Sequence, residues 1–193
     1  MEEKKTAVLL EYADLNDGYV SVESAKGQGI AQTYLSFAEK EGLFTKVSKG
    51  LYIKRGYMRD PFYELAFRYR KAVFSLKSCL FLHGVTQEET LEVHLPRNYC
   101  THGIEGVSSR HVGEKEFTLG QSIVVTPRGN FVNGYDLERT MIDLLRNRVR
   151  YGKDDFLFLW RACKEKSPYR EKLEAYAQAF HVEGELSLLD YLF

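Results

Sequence analysis

Apolar residues recur at helical spacing at the start of the chain. Ala7, Val8, Leu10 and Ala13 predict a helix over 5–13, and Asn16-Asp17-Gly18 stops it. Ser21 is placed to cap a short helix running to Lys26, with Glu23 and Ser24 in its first turn. Gly27-Gln28-Gly29 reads as a turn, because glycine takes positive φ at no steric cost. A further helix follows over 31–41, closed by Gly42 in the left-handed conformation. Two short alternating strands, 44–47 and 51–53, are joined by Ser48-Lys49-Gly50 as a hairpin. Helix, helix, tight turn, helix, hairpin is the order of a winged helix-turn-helix.

On a helical wheel of 31–41, Ile30, Ala31, Leu35 and Ala38 fall on one side. Gln32, Thr33, Ser36 and Lys40 fall on the other, with Tyr34 and Phe37 at the margins. A recognition helix needs this division: an apolar face seats it, and short polar side chains reach base edges in the major groove. Gln32, Thr33 and Ser36 are therefore candidates for base contact. Lys40, with Lys46, Lys49, Lys54 and Arg55 of the hairpin, suits the flanking phosphates. The alternative is a small helical domain whose exposed side is merely polar and basic.

The rest of the chain mixes strands and helices without repeats. Asp60 caps a helix over 61–70 with Pro61 in its first position, 72–74 is a short strand, and Ser75 can cap an apolar helix over 76–82 that Gly84 ends. Strands are predicted at 91–95, 107–111 and 123–126, with turns at Pro96-Arg97-Asn98, Gly103, Gly113, Gly120, Pro127-Arg128-Gly129 and Asn133-Gly134. Asp136 caps a helix over 137–146, and helices follow over 155–166, 169–180 and 186–192. The stripe Tyr169, Leu173, Tyr176, Ala177, Phe180 reads as core packing. Strands followed by segregated helices argue for α+β. The expected organisation is a winged helix-turn-helix domain over 1–57, then a mixed α+β domain with a helical tail over 58–193.

Composition narrows the function classes. The 193 residues carry 27 basic and 27 acidic side chains, so total charge implies no polyanion partner. The distribution changes that picture, because 24–59 holds seven basic residues against two acidic ones. Three scattered cysteines (Cys79, Cys100, Cys163) argue against a disulfide framework and for a reducing compartment. Met1 to Thr6 is charged with no apolar stretch after it to make a signal peptide, and no run approaches the ~18 apolar residues of a spanning helix. The expectation is a cytoplasmic protein with no membrane partner.

Catalytic and cofactor motifs are missing: there is no GxSxG, GxxxxGK[ST], HExxH or GxGxxG. Cys100-x-His102 is close-spaced but lacks a second pair to complete a metal's four ligands. His83, at a helix end, suits bonding to orphan carbonyls. Arg139 has Asp136 and Asp143 as prospective ion-pair partners, whereas Arg146, Arg148 and Arg150 are candidates for an exposed basic surface. No catalytic, cofactor-binding or metal residue is assigned. An enzyme reading, a nuclease or nucleotide-modifying domain steered by the winged helix, would need clustered carboxylates from Asp136, Asp143, Asp154 and Asp155.

Three segments carry a resemblance. Phe44-Thr45-Lys46-Val47-Ser48-Lys49-Gly50-Leu51-Tyr52 resembles the wing of the AbiEi-type antitoxins, with lysines at 46 and 49 where arginines are common. Ser75 to Gly84 resembles that family's serine-to-histidine-glycine helix, and Asp136 to Arg146 its leucine-glutamate-arginine-threonine helix. Lysine keeps the charge but loses bidentate reading, which favours phosphate over base contact at 46 and 49. The resemblance implies a two-domain antitoxin of a bacterial abortive-infection operon, the AbiE type IV toxin–antitoxin system. Its winged helix would repress its own operon by binding double-stranded operator DNA, cooperatively or as a dimer. Its second domain would counteract a nucleotidyltransferase-like toxin without requiring a stable complex.

Overall fold

The structure is a computed structural model that describes residues 2–101 and 104–192. The chain forms two compact units, Met1–Arg70 with Thr126–Asn130, and Lys71–Val125 with Phe131–Phe193. The first unit thus runs past the expected limit at 57.

In the first unit the elements are α1 (Glu2–Asp14), β1 (Tyr19–Ser21), α2 (Val22–Gly27), α3 (Gln32–Lys40), β2 (Phe44–Ser48), β3 (Leu51–Lys54) and α4 (Pro61–Arg68). Strand β1 was not expected. It pairs antiparallel with β3 (Tyr19↔Ile53, Ser21↔Leu51), and β3 pairs with β2 (Phe44↔Lys54, Lys46↔Tyr52), so the sheet order is β1-β3-β2. Alternation along each strand gives the sheet two buried faces. Val20, Phe44 and Tyr52 join Leu9, Ala25 and Leu35 of the helices and Ile30 before α3. Tyr19, Leu51 and Ile53 pack with Val47, Tyr63 and Phe67, which brings α4 into this unit.

Local signals account for the helix ends. The Ser21 hydroxyl accepts from the Ser24 N–H at 2.9 Å, and the Ser24 hydroxyl accepts from the Ser21 N–H at 2.9 Å, a reciprocal capping box. Gly42, at φ +71°, ends α3 so that the Leu43 N–H reaches back to the Ala38 carbonyl at 3.0 Å. Asp60 is buried. One carboxylate oxygen accepts from the N–H groups of Phe62 and Tyr63, and the other from the Thr126 hydroxyl and from the Asn130 amide at 2.9 Å.

The second unit contains β4 (Val73–Phe74), α5 (Leu76–Leu82), β5 (Glu92–Pro96), β6 (Ser108–Val112), α6 (Glu114–Thr118), β7 (Gln121–Val125), β8 (Phe131–Tyr135), α7 (Leu137–Arg146), a 3-10 turn (Arg148–Arg150), α8 (Lys153–Glu165), α9 (Arg170–Phe180) and α10 (Glu183–Leu192). The mixed sheet has the order β6-β5-β4-β8-β7. Met141, Ile142, Leu144 and Leu145 of α7 meet Leu80, Trp160, Cys163, Leu173 and Ala177 in its helical core. The chain is therefore α+β.

Several expectations fail for identifiable reasons. Asn133-Gly134 is not a turn but the middle of β8; a Cβ at Gly134 would lie 2.7 Å from a Val124 methyl, so the glycine serves close packing. Ser75 occupies the N-cap of α5 without capping it; its buried hydroxyl has no hydrogen-bond partner. Tyr169 is 74% exposed, outside the core stripe, whereas Leu173 and Ala177 are buried. Gly103 lies outside the described residues.

Candidate nucleic-acid interface

Helix α3 is seated by Leu35 and Ala38, both buried, with Ile30 just before it. The opposite side carries Gln32, Thr33 and Lys40, all exposed, while Ser36 is half-buried. Two residues depart from the wheel: Ala31 is exposed rather than core, and Phe37 is 44% exposed rather than marginal.

Behind α3, the hairpin places Lys46 on β2 opposite Tyr52, and Lys49 in the turn to β3. Val47, between Lys46 and Ser48, is the extra residue of a β-bulge, which increases local twist. Its half-buried side chain packs against the cluster of Tyr19, Leu51 and Ile53. Lys46, Lys49 and Arg55 are exposed. Among the described residues no carboxylate lies within ion-pairing distance of Lys40, Lys46, Lys49 or Arg55.

Lys54 does not belong with them. Its ammonium is paired with Asp14, which also accepts from the Tyr57 hydroxyl at 2.8 Å. Those two hydrogen bonds, Lys54 first, hold the Asp14 carboxyl below the usual carboxylate range, and the same carboxylate pushes the Tyr57 phenol up. That pairing weighs against the expected phosphate-gripping role of Lys54. Its partner lies 40 residues away, so no local spacing signalled it. Nearby, Arg59 is paired with Glu64, whose carboxylate also accepts from the Tyr19 hydroxyl at 2.9 Å. Burial pushes the Tyr19 phenol up.

Of the basic surface expected at Arg146, Arg148 and Arg150, the last two are exposed and Arg146 is half-buried, and all three are ion-paired within the second unit. Arg146 reaches Glu116 at 3.0 Å and Asp143 at 3.2 Å, Arg148 meets Glu185 at 3.6 Å, and Arg150 meets Glu92 at 3.1 Å. Arg139 pairs with Asp143 at 3.0 Å, one of the two partners its spacing suggested. Its guanidinium lies between the rings of Tyr135 and Phe180, 4.3 and 4.5 Å from their centroids, and also donates to the Leu119 carbonyl. Burial raises the Asp143 carboxyl against the pull of Arg139 and Arg146.

His83 bonds a carbonyl, as expected of it, but that of Tyr135 in β8 (2.8 Å) rather than one of its own helix. His94, beside the Tyr135 hydroxyl at 3.3 Å, was not singled out; burial, helped by the charge of Arg139, lowers its pKa to about 3. The carboxylates an enzyme would need are placed separately. Asp136 caps α7 and pairs with Lys172, Asp143 sits in the arginine network, and Asp154 and Asp155 lie exposed in the first turn of α8. Among the described residues no group of three or more His, Cys, Asp and Glu side chains could hold a metal ion. Cys100 is exposed, and His102 lies outside the described residues. No described helix is long and apolar enough to cross a membrane. No model of a known protein family matches the chain, and no curated protein sequence matches it.

Proposed function

We propose that the first unit is a winged helix-turn-helix that binds double-stranded DNA, and that the chain is a cytoplasmic autorepressor and antitoxin of the AbiEi type. The observation that carries the reading is the set of unpaired cations, Lys40, Lys46, Lys49 and Arg55, on the helix and hairpin that follow the α2–α3 turn. The element order α1-β1-α2-α3-β2-β3 and the sheet order β1-β3-β2 support that reading. In this reading α3 enters the major groove, Gln32 and Thr33 at its N-terminus meet base edges, and the hairpin cations neutralise flanking phosphates. Ser36, half-buried, has a smaller part than its wheel position implied. The antitoxin role rests on the three resembling segments. It assigns the second unit to counteracting a nucleotidyltransferase-like toxin.

Binding of the full chain to duplexes from the region upstream of its coding sequence, measured against salt, tests the DNA reading. Each phosphate-contacting lysine contributes about 0.9 to the slope of log affinity on log salt. Lys46→Ala with Lys49→Ala therefore flattens that slope by about 2 and leaves sequence preference intact. An unchanged slope would remove the hairpin from the interface. Growth rescue on co-expression with the adjacent gene tests the antitoxin role, and failure to rescue would refute it.

A further inference from the structure

We infer that Phe37 reads the 5-methyl group of thymine, so that the site bound by α3 carries a thymine facing the second turn of that helix; this rests on the DNA-binding reading above. Thr33, Phe37 and Lys40 stand at i, i+4 and i+7 and form one line along the exposed side of α3. Leu35 and Ala38 hold the other side in the core. The Phe37 ring is 44% exposed, and the Tyr34 ring lies 5.8 Å away at 41°, giving it lateral support.

A phenyl ring at the centre of a base-reading face has no hydrogen bond to give or take. It contributes only by covering apolar surface. In the major groove the base edges present donors and acceptors, plus one apolar group, the C5 methyl of thymine. Gln32 and Thr33 supply hydrogen-bonding atoms one turn earlier, and Lys40 supplies a charge one turn later, so the ring divides the polar contacts at an apolar step. Duplex RNA is excluded as the ligand, since its deep, narrow major groove does not admit a side chain and its uracil lacks the methyl.

The test uses the full chain and a duplex it selects from a randomised DNA pool, resynthesised with deoxyuridine replacing each thymine in turn. At one or two positions the loss of the methyl should weaken wild-type binding about fourfold, the factor that covering one such group supplies. Phe37→Ala should bind the thymine and deoxyuridine duplexes equally while keeping the wild-type salt slope. Phe37→Leu, which restores an apolar side chain, should recover part of the discrimination. A wild-type chain indifferent to every deoxyuridine, or a Phe37→Ala variant that still distinguishes the two duplexes, overturns the inference while leaving the DNA reading standing. A selection that yields no preferred duplex overturns the DNA reading itself.

Discussion

Two sets of cations, one in each unit, are treated in opposite ways. In the second, Arg139, Arg146, Arg148 and Arg150 each end on a carboxylate, and the innermost is fully buried between two aromatic rings. In the first, Lys40, Lys46, Lys49 and Arg55 stand in water without a partner. By sequence alone the two sets look alike, a run of basic residues on or beside a helix. The paired, buried guanidinium of Arg139 is a packing element whose charge is spent inside the fold, whereas Arg148 and Arg150 are paired at the surface. An unpaired surface cation costs little to keep and remains available to a phosphate. The contrast separates residues that hold the structure from residues that can meet a partner.

Breaking the buried network should have the largest effect. Asp143→Ala leaves the Arg139 guanidinium in the core with no counter-charge, and such a loss costs about 3–5 kcal/mol. The chain's single tryptophan, Trp160, lies in the core of the second unit, so its fluorescence in a urea titration reports that unit. Lys46→Ala, at an exposed position, should change stability by no more than about 0.5 kcal/mol. Equal midpoints for the two variants would abolish the distinction between the units.

A second contrast is in acid sensitivity. His94 is 2% exposed, and its pKa is lowered to about 3, against an ordinary value near 6.5. Between those values the unfolded chain binds the proton and the folded one does not. The stability of the second unit is therefore fully present above about pH 6.5 and falls as the pH drops. The loss from this group alone approaches about 2 kcal/mol by pH 5. The first unit contains no histidine. His94→Phe should flatten the pH dependence of the Trp160 transition between pH 6.5 and 5, and an undiminished slope in that variant would place the acid-sensitive group elsewhere.

What the sequence disclosed follows the range of each interaction. Ser21, Gly42, Asp60-Pro61 and Asp136 mark helix ends through contacts a few residues away, and all four were legible. The Arg139–Asp143 pair was legible for the same reason, being one helical turn apart. Strand β1 was not: three residues carry no period, and its partners in β3 lie 30 or more positions on. Gly134 misled because glycine serves turns and close packing alike, and only the Val124 side chain across the strand pair decides between them. At the candidate interface, the helix and hairpin were legible from their patterns. The exposure of Phe37 was not, since a marginal wheel position turns inward or outward according to which neighbours cover it.

The smallest effect is also the sharpest test of pairing, because Lys54 shares the hairpin with Lys46 but has a partner. With its ammonium bound to Asp14, it has little charge left to offer a phosphate. Lys54→Ala should therefore change the salt slope of DNA binding by well under the ~0.9 expected for an unpaired lysine. Asp14→Asn removes the counter-charge and keeps the side chain's shape. The freed ammonium then becomes available, and the slope should steepen toward that same ~0.9 while the Tyr57 phenol, no longer beside an anion, returns toward its ordinary pKa. If Lys54→Ala flattened the slope as much as Lys46→Ala, ion pairing within the fold would not be what decides which cations reach the backbone.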